Sequence, residues 1–320
     1  MKLHEDKKQF QEAVRFTAQQ MGILDIYVEK DYWVCYALKQ IFSSPVAEYS
    51  IFKGGTALSK CYKVIERFSE DIDLVVIKSS EETPNQLKNK IKKISEVVNE
   101  VLPEIQISGV TQKMGMNRKT AHSYSRNFEG SFGQIRDVII VEASWLGYFE
   151  PNEKRQIKTF ITEMMEQNHQ QEMIKEFCLE PFDVSVLNPK RTFCEKIMSL
   201  VRFSYTENPI QDLRSKIRHI YDLHQLLKNE EIITFFESSD FPEMLEKVRK
   251  DDVLSYKNNN NWLSQPLKNA LIFKNLEEVW EELSNTYNTD FKHLVYGSLP
   301  KEEEVISTLH TIKKRIENYG

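Results

Sequence analysis

What the chain lacks narrows it first. No apolar run approaches the roughly 20 residues needed to cross a bilayer as a helix. The opening segment, MKLHEDKKQFQEAV, has neither the apolar core nor the small-residue cleavage site of a secretory signal. The expected location is therefore the cytoplasm, with no membrane partner. Cysteine is scarce: the four are Cys35, Cys61, Cys178 and Cys194, with no C-x-x-C pair and no histidine at ligand spacing. They read as buried free thiols. Neither sign of charge is in large excess: 43 Lys and Arg stand against 48 Asp and Glu, a net charge of −5. A mildly acidic chain does not carry a general basic coat for nucleic acid, although local basic patches exist. No internal repeat of solenoid period is present.

What remains is an ordinary globular composition, 40% hydrophobic and 28% charged, over 320 residues, enough for two domains. The first stretch has helical spacing, with Phe10, Val14, Thr17, Ala18 and Met21 on one face and Gly22 as a stop. A second helical pattern runs from about Tyr27 to Phe42 and ends before Pro45. From Tyr49 the texture changes. A short strand, YSIFK, runs into Gly54-Gly55, the segment TALSKCYKVIERF has a helical pattern, and DIDLVVI reads as a strand. Helix resumes from about Asn85 to Leu102, followed by strand candidates at IQISGV, around HSYSRNF, and at DVIIVEAS. The predicted organisation is N-terminal helices over 1–48, an α/β core over 49–150, and a mainly helical lobe over 151–320.

The chemistry concentrates in FKGGTALSKCYKVIERFSEDIDLVV. A strand delivers Lys53, Gly54 and Gly55. A helix begins at Thr56, and Asp71 and Asp73 open the next strand. Glycine lets the backbone approach a triphosphate without a Cβ clash. The helix start beyond it offers free N–H groups to phosphate, and the Thr56 hydroxyl adds a donor. Residues two apart in a strand share a face, so Asp71 and Asp73 point together while Ile72 and Leu74 point inward. Two carboxylates on one face suit Mg²⁺ or Mn²⁺, and such ions assist transfer to a hydroxyl with loss of pyrophosphate. A lone D-x-D is usually a solvated strand face and a lone G-G a turn; it is their combination and order that point to a catalytic site.

The segment resembles the AbiEii/AbiGii-type nucleotidyltransferase toxins, a branch of the polymerase-β-like nucleotidyltransferase superfamily. The matching pattern is Gly54, Gly55, Thr56 and Leu58, then Arg67, Ser69, Asp71, Ile72, Asp73 and Leu74. VEKDYWVCYALKQIF, with Lys30 and Asp31, resembles the family's E-K-D-Y helix. LNPKRTFCEKIMSL and IRHIYDLHQLL resemble its P-x-R-T-F-x-E-K and Y-D-L motifs. The likeness touches residues from about 28 to 228. It implies a bilobed α/β fold, a nucleotidyltransferase-type mixed sheet with flanking helices and a mainly helical C-terminal lobe, with the active site between the lobes. It implies an NTP substrate whose binding side includes Lys53, Gly54, Gly55, Thr56, Lys60, Arg67 and Ser69. Asp71 and Asp73 are the implied metal ligands and catalytic pair, and Lys196 and Asp222 are catalytic residues on later helices. A third carboxylate is expected on a later strand, with Glu142 preferred and Asp137 as competitor. By the same resemblance the acceptor is RNA, a tRNA 3′ end, the protein acts as the toxin of a toxin–antitoxin or phage-defence system, and a cognate antitoxin is a partner.

The residues alone leave rivals open. Lys113, Arg118, Lys119, His122 and Arg126, with Tyr124 among them, suit a phosphate backbone and a stacked base, yet a solvated hairpin has the same composition. Arg118, Lys119, Arg126, Lys190 and Arg191 are the RNA-contact candidates. Lys196 and Asp222 could equally be surface residues. The same chemistry could serve a protein or small-molecule hydroxyl, and a nucleotide-binding module without turnover is the rival of another class.

Overall fold

The computed structural model describes residues 1–69, 71–113, 115–130, 136–256 and 260–317. In chain order the principal elements begin with helices α1 (Lys7–Met21) and α2 (Asp25–Phe42), strand β1 (Ser50–Lys53), helix α3 (Gly54–Lys60), strand β2 (Ile72–Val76) and helix α4 (Pro84–Asn99). Strands β3 (Glu104–Ile105), β4 (Asn117–His122), β5 (Ile139–Ser144) and β6 (Asn152–Ile157) follow, then helices α5 (Phe160–Gln167) and α6 (Gln171–Glu176) and strand β7 (Phe182–Leu187). Beyond these come α7 (Pro189–Phe203), α8 (Pro209–Ser215), α9 (Ile217–Leu226), α10 (Glu230–Glu237), α11 (Asp240–Ser255), α12 (Leu271–Lys274), α13 (Leu276–Thr286) and α14 (Glu302–Glu317). No helix among the described residues is long and apolar enough to cross a membrane.

The chain divides into two compact units. The first comprises residues 1–62, 68–145 and 152–187 and holds one seven-stranded sheet in the order β3-β4-β5-β2-β1-β7-β6. The sheet is mixed: β1 runs antiparallel to β2 and parallel to β7, while β2 runs parallel to β5. The second unit comprises residues 63–67, 146–151 and the chain from 188 onward, and its principal elements are helices. The mixed sheet with flanking helices is the expected fold class.

Several boundaries differ from the sequence reading. The sheet extends past residue 150, because β6 and β7 pair with each other and β7 with β1. β6 (NEKRQI) is an edge strand with most side chains exposed, so it carries no apolar alternation to betray it. The helix after Gly55 stops at Lys60 rather than running to Phe68; Lys63 takes a left-handed backbone, φ +56°, and residues 63–67 belong to the second unit. β3 is only Glu104–Ile105, and β4 lies at Asn117–His122, ahead of the HSYSRNF segment read as a strand. None of the four cysteines, all among the described residues, is in a disulfide; Cys35 and Cys194 are buried, and Cys61 and Cys178 half-buried.

Helix α2 shows why E-K-D-Y is needed. Glu29, Lys30 and Asp31 are all buried, and buried charge must be matched. Glu29 accepts from the backbone N–H groups of Asn127 and Phe128, and Lys30 donates to the Arg136 carbonyl. Asp31 accepts from Lys60 at 2.6 Å and from the Phe160 N–H at 2.7 Å. One helical turn thus pins four separate stretches of the first unit, at Asn127–Phe128, Arg136, Lys60 and Phe160.

Candidate active site

The turn from β1 into α3 brings glycine and carboxylate together. Gly54 has φ +81°, and a Cβ there would lie 2.3 Å from Asp73 Oδ2. Only glycine fits on both counts. Gly54→Ala is therefore expected to push the Asp73 carboxylate aside and cost about a hundredfold in transfer rate, the usual order for a misplaced reacting group. Rate measurements beside melting curves test this; full activity in a folded variant would dissociate the turn from the chemistry.

Around Asp73 the strand register builds a lateral row. Lys53 pairs with Asp73, Asp73 with Glu142, and Glu142 with Lys119, across β1, β2, β5 and β4. Side chains paired laterally in a sheet share a face. All four residues are half-buried, as is Asp71, whereas Ile72 and Leu74 on the other face are buried, as the spacing predicts. Glu142 accepts from Lys119 Nζ at 3.0 Å and from Asn117 Nδ2 at 2.9 Å. Asp137, the competitor, is exposed in a 3.2 Å ion pair with Arg126, well away from this row in the register.

The electrostatics of the row are uneven. Burial, then the charges of Glu142 and Asp71, push the Asp73 carboxyl up to about 7. Burial acts on Glu142 in the same direction, but the Lys119 ammonium and the bonds from Lys119 and Asn117 outweigh it and leave that carboxyl below its ordinary value. Asp71 Oδ1 is buried with no hydrogen-bond partner. Its backbone is held: its carbonyl accepts from the Thr56 hydroxyl at 2.6 Å, and that hydroxyl lies 3.0 Å from Ser69 Oγ. Thr56, expected as a phosphate donor, is buried and fixes the Asp71 backbone instead.

Other nucleotide-side expectations separate. Lys60 is buried against Asp31 and is not brought to the acidic row. Arg67 belongs to the second unit, where it meets Lys196 and Asp222. Arg67 forks onto Asp222, Nε to Oδ1 at 2.7 Å and Nη2 to Oδ2 at 2.8 Å, and Lys196 Nζ lies 2.8 Å from Oδ2. All three side chains are buried. They are not surface residues. Burial alone would raise the Asp222 carboxyl, but Arg67 and Lys196 hold it far below the usual carboxylate range. His219 stands beside them, pushed well below its ordinary value by burial and then by Lys196 and Lys216.

The RNA-contact candidates are engaged within their own units. Arg118 bonds Ser95 Oγ at 2.6 Å and approaches Glu104, to which Lys113 also pairs. His122 is buried between Thr120 and the Leu102 carbonyl. Lys190 pairs with Glu231 at 2.8 Å. Arg191 is 2% exposed, tied to Glu195 and Asp251, and so is committed to the helical core. Lys119 is the exception in kind: it is part of the acidic row. Its place there, and that of Asn117, was missed because only the β4–β5 register reveals it.

The mixed sheet, the glycine turn and the two aspartates stand as a nucleotidyltransferase site was expected to present them. Within that class the chain is a member of the AbiEii family, described as the nucleotidyl transferase AbiEii toxin of type IV toxin–antitoxin systems, whose profile matches residues 36–307. The match includes Asp71, Asp73, Glu142, Lys196 and Asp222, and it extends well beyond the last motif legible at about residue 228. Among solved structures the chain is similar to MenT4, a nucleotidyltransferase toxin from Mycobacterium tuberculosis H37Rv, at 16% identity and a TM-score of 0.45, covering 93% of this chain and 98% of that one. No curated protein matches by sequence.

Proposed function

We propose that this chain transfers NMP from an NTP to an RNA hydroxyl, with a tRNA 3′ end as acceptor, in a reaction that depends on a divalent cation. The observation that carries the metal dependence is the pair Asp71 and Asp73: one buried oxygen without a partner, and one carboxyl that burial and neighbouring acids push to about 7. Among the described residues no three of His, Cys, Asp and Glu are gathered for a metal. That fits Mg²⁺, which commonly uses one or two carboxylates and takes its other oxygens from substrate phosphates and water. Asp71 and Asp73 would hold Mg²⁺ or Mn²⁺, which when bound supplies positive charge against the triphosphate. Lys53 adds a cation beside Asp73. Gly54 lets the Asp73 carboxylate lie close against the turn.

In the transfer the acceptor oxygen bonds to the α-phosphorus, the bond to the bridging oxygen breaks, and pyrophosphate leaves. The hydroxyl proton passes to a carboxylate of the acidic row, which acts as the general base. Lys196 and Asp222 are assigned to the reaction on the two helical motifs and on their shared buried network. Membership of a toxin–antitoxin family implies a cognate antitoxin as partner.

One observation favours a second acceptor class. Lys113, Arg118, Lys119 and Arg126 are all matched by carboxylates, so the basic segment is not a free phosphate track. A protein or small-molecule hydroxyl is the alternative. Each labelled NTP, incubated in turn with the protein, Mg²⁺, total RNA and total protein, separates the two. The expected result is label in RNA, tRNA lengthened on a denaturing gel, and loss of label with EDTA. Label in protein or a metabolite would replace the acceptor and leave the transferase reading intact.

A further inference from the structure

The row Lys53–Asp73–Glu142–Lys119 holds two cations and two anions in one register, with Asp71 beside it. Its two lysines differ in place. Lys53 sits at the glycine turn. Lys119 stands at the opposite end, on β4, with its ammonium 3.0 Å from Glu142 Oε2. Asn117 occupies the other oxygen, so both oxygens of Glu142 are engaged by this chain's own donors. Asp71 Oδ1, by contrast, has no donor at all.

Resting on the metal-dependent reading above, we infer that Lys119 is an exchangeable counter-ion. It neutralises Glu142 while no divalent cation is bound, and it turns toward the anionic phosphates of the substrate once one is. The chemistry favours this. A divalent ion held by Asp71 and Asp73, beside Glu142 in the row, makes the lysine's charge redundant there and repels it. Lysine is a compact charge on a flexible stem with rotatable donors, so it can change partner without moving the strand. Its side chain is 26% exposed, leaving room to turn. Arg118, one residue earlier, lies on the other face of β4, tied to Ser95 and near Glu104, and cannot substitute.

The alternative for Lys119 is a fixed prop that presents Glu142 to the metal, and the two roles predict opposite signs. Mn²⁺ is titrated into the full chain without nucleotide, with free Mn²⁺ read by electron paramagnetic resonance. Lys119→Met is expected to bind Mn²⁺ about tenfold more tightly than wild type, because a nearby like charge is gone. Lys119→Arg should stay near wild type, and circular dichroism and melting curves establish that each variant is folded. With Mn²⁺ saturating, Lys119→Met should bind a non-hydrolysable NTP analogue several-fold more weakly. Mn²⁺ binding unchanged or weaker in Lys119→Met overturns the exchange and leaves the metal site standing. Unaltered affinity for the analogue overturns the phosphate half. If wild type shows no saturable Mn²⁺ binding that Asp71→Asn removes, the metal reading and this inference fall together.

Discussion

Asp73→Asn is expected to abolish transfer and, at the same time, make the protein more stable. Asparagine keeps the shape of the side chain but not the charge that a hard cation needs. A loss of about a thousandfold or more is the order expected when a positioned charge leaves such a site. Asp71→Asn should fall as far. The gain in stability has a different source. In the metal-free fold Asp73 sits where burial, Glu142 and Asp71 raise its carboxyl to about 7, against an ordinary value near 4 in the unfolded chain. A carboxyl raised on folding costs stability wherever the unfolded chain ionises more readily. That cost is complete above pH 7, shrinks as pH falls from 7 toward 4, and is absent below. Removing the charge should return about 1–2 kcal/mol, allowing for solvent at a half-buried site. That corresponds to a melting point a few degrees higher above pH 7 in EDTA, with the difference narrowing toward pH 4. Transfer at near wild-type rate in either variant would sink the site assignment. A melting point lowered at pH 8 would show that Asp73 is a structural anion instead.

The acidic pair and its turn were legible because they are local. Strand, glycines, helix start and D-x-D lie within one short stretch, and the apolar positions at Ile72 and Leu74 set the face of the strand. Glu142 stood out as a polar ending to an apolar strand, and the register sets it opposite Asp73. What could not be read was pairing across distance. Lys119 has the look of a nucleic-acid contact until β4 is laid against β5. Lys60 reads in sequence as a phosphate-side cation, and Asp31, on α2, lies buried against it. Arg67 lies in the same motif as Ser69 and Asp71, yet its guanidinium is spent on Asp222. Charge composition shows that cations are present; only the fold shows which are already matched. The missed strands have the same origin. β6 is polar because it is an edge, and β4 (NRKTAH) takes its place from the register with β5 rather than from apolar alternation.

Asp222→Ala is expected to damage the fold of the second unit as well as the reaction, whereas Lys196→Ala should separate the two. Asp222 is fully buried and is matched by a forked arginine and a lysine. Removing it leaves two buried cations without an anion, which costs on the order of 3–5 kcal/mol. Its carboxyl is held far below the unfolded value by Arg67 and Lys196, against the effect of burial. The stabilisation is therefore present above about pH 4 and lost only as pH falls through the depressed folded value. Asp222→Ala should melt well below wild type at neutral pH, with the difference closing in strong acid. Lys196→Ala leaves the fork from Arg67 in place, so the buried carboxylate keeps a partner and the melting point should fall far less. If Lys196 serves the transfer, its loss should still cost roughly a hundredfold in rate. Thermal melts from strong acid to pH 8, beside rates with labelled NTP at neutral pH, give both readings. An Lys196→Ala variant with ordinary activity would reduce α7 and α9 to scaffold. An Asp222→Ala variant that melts like wild type, yet transfers nothing, would mean that the trio is held for chemistry and contributes little to the fold.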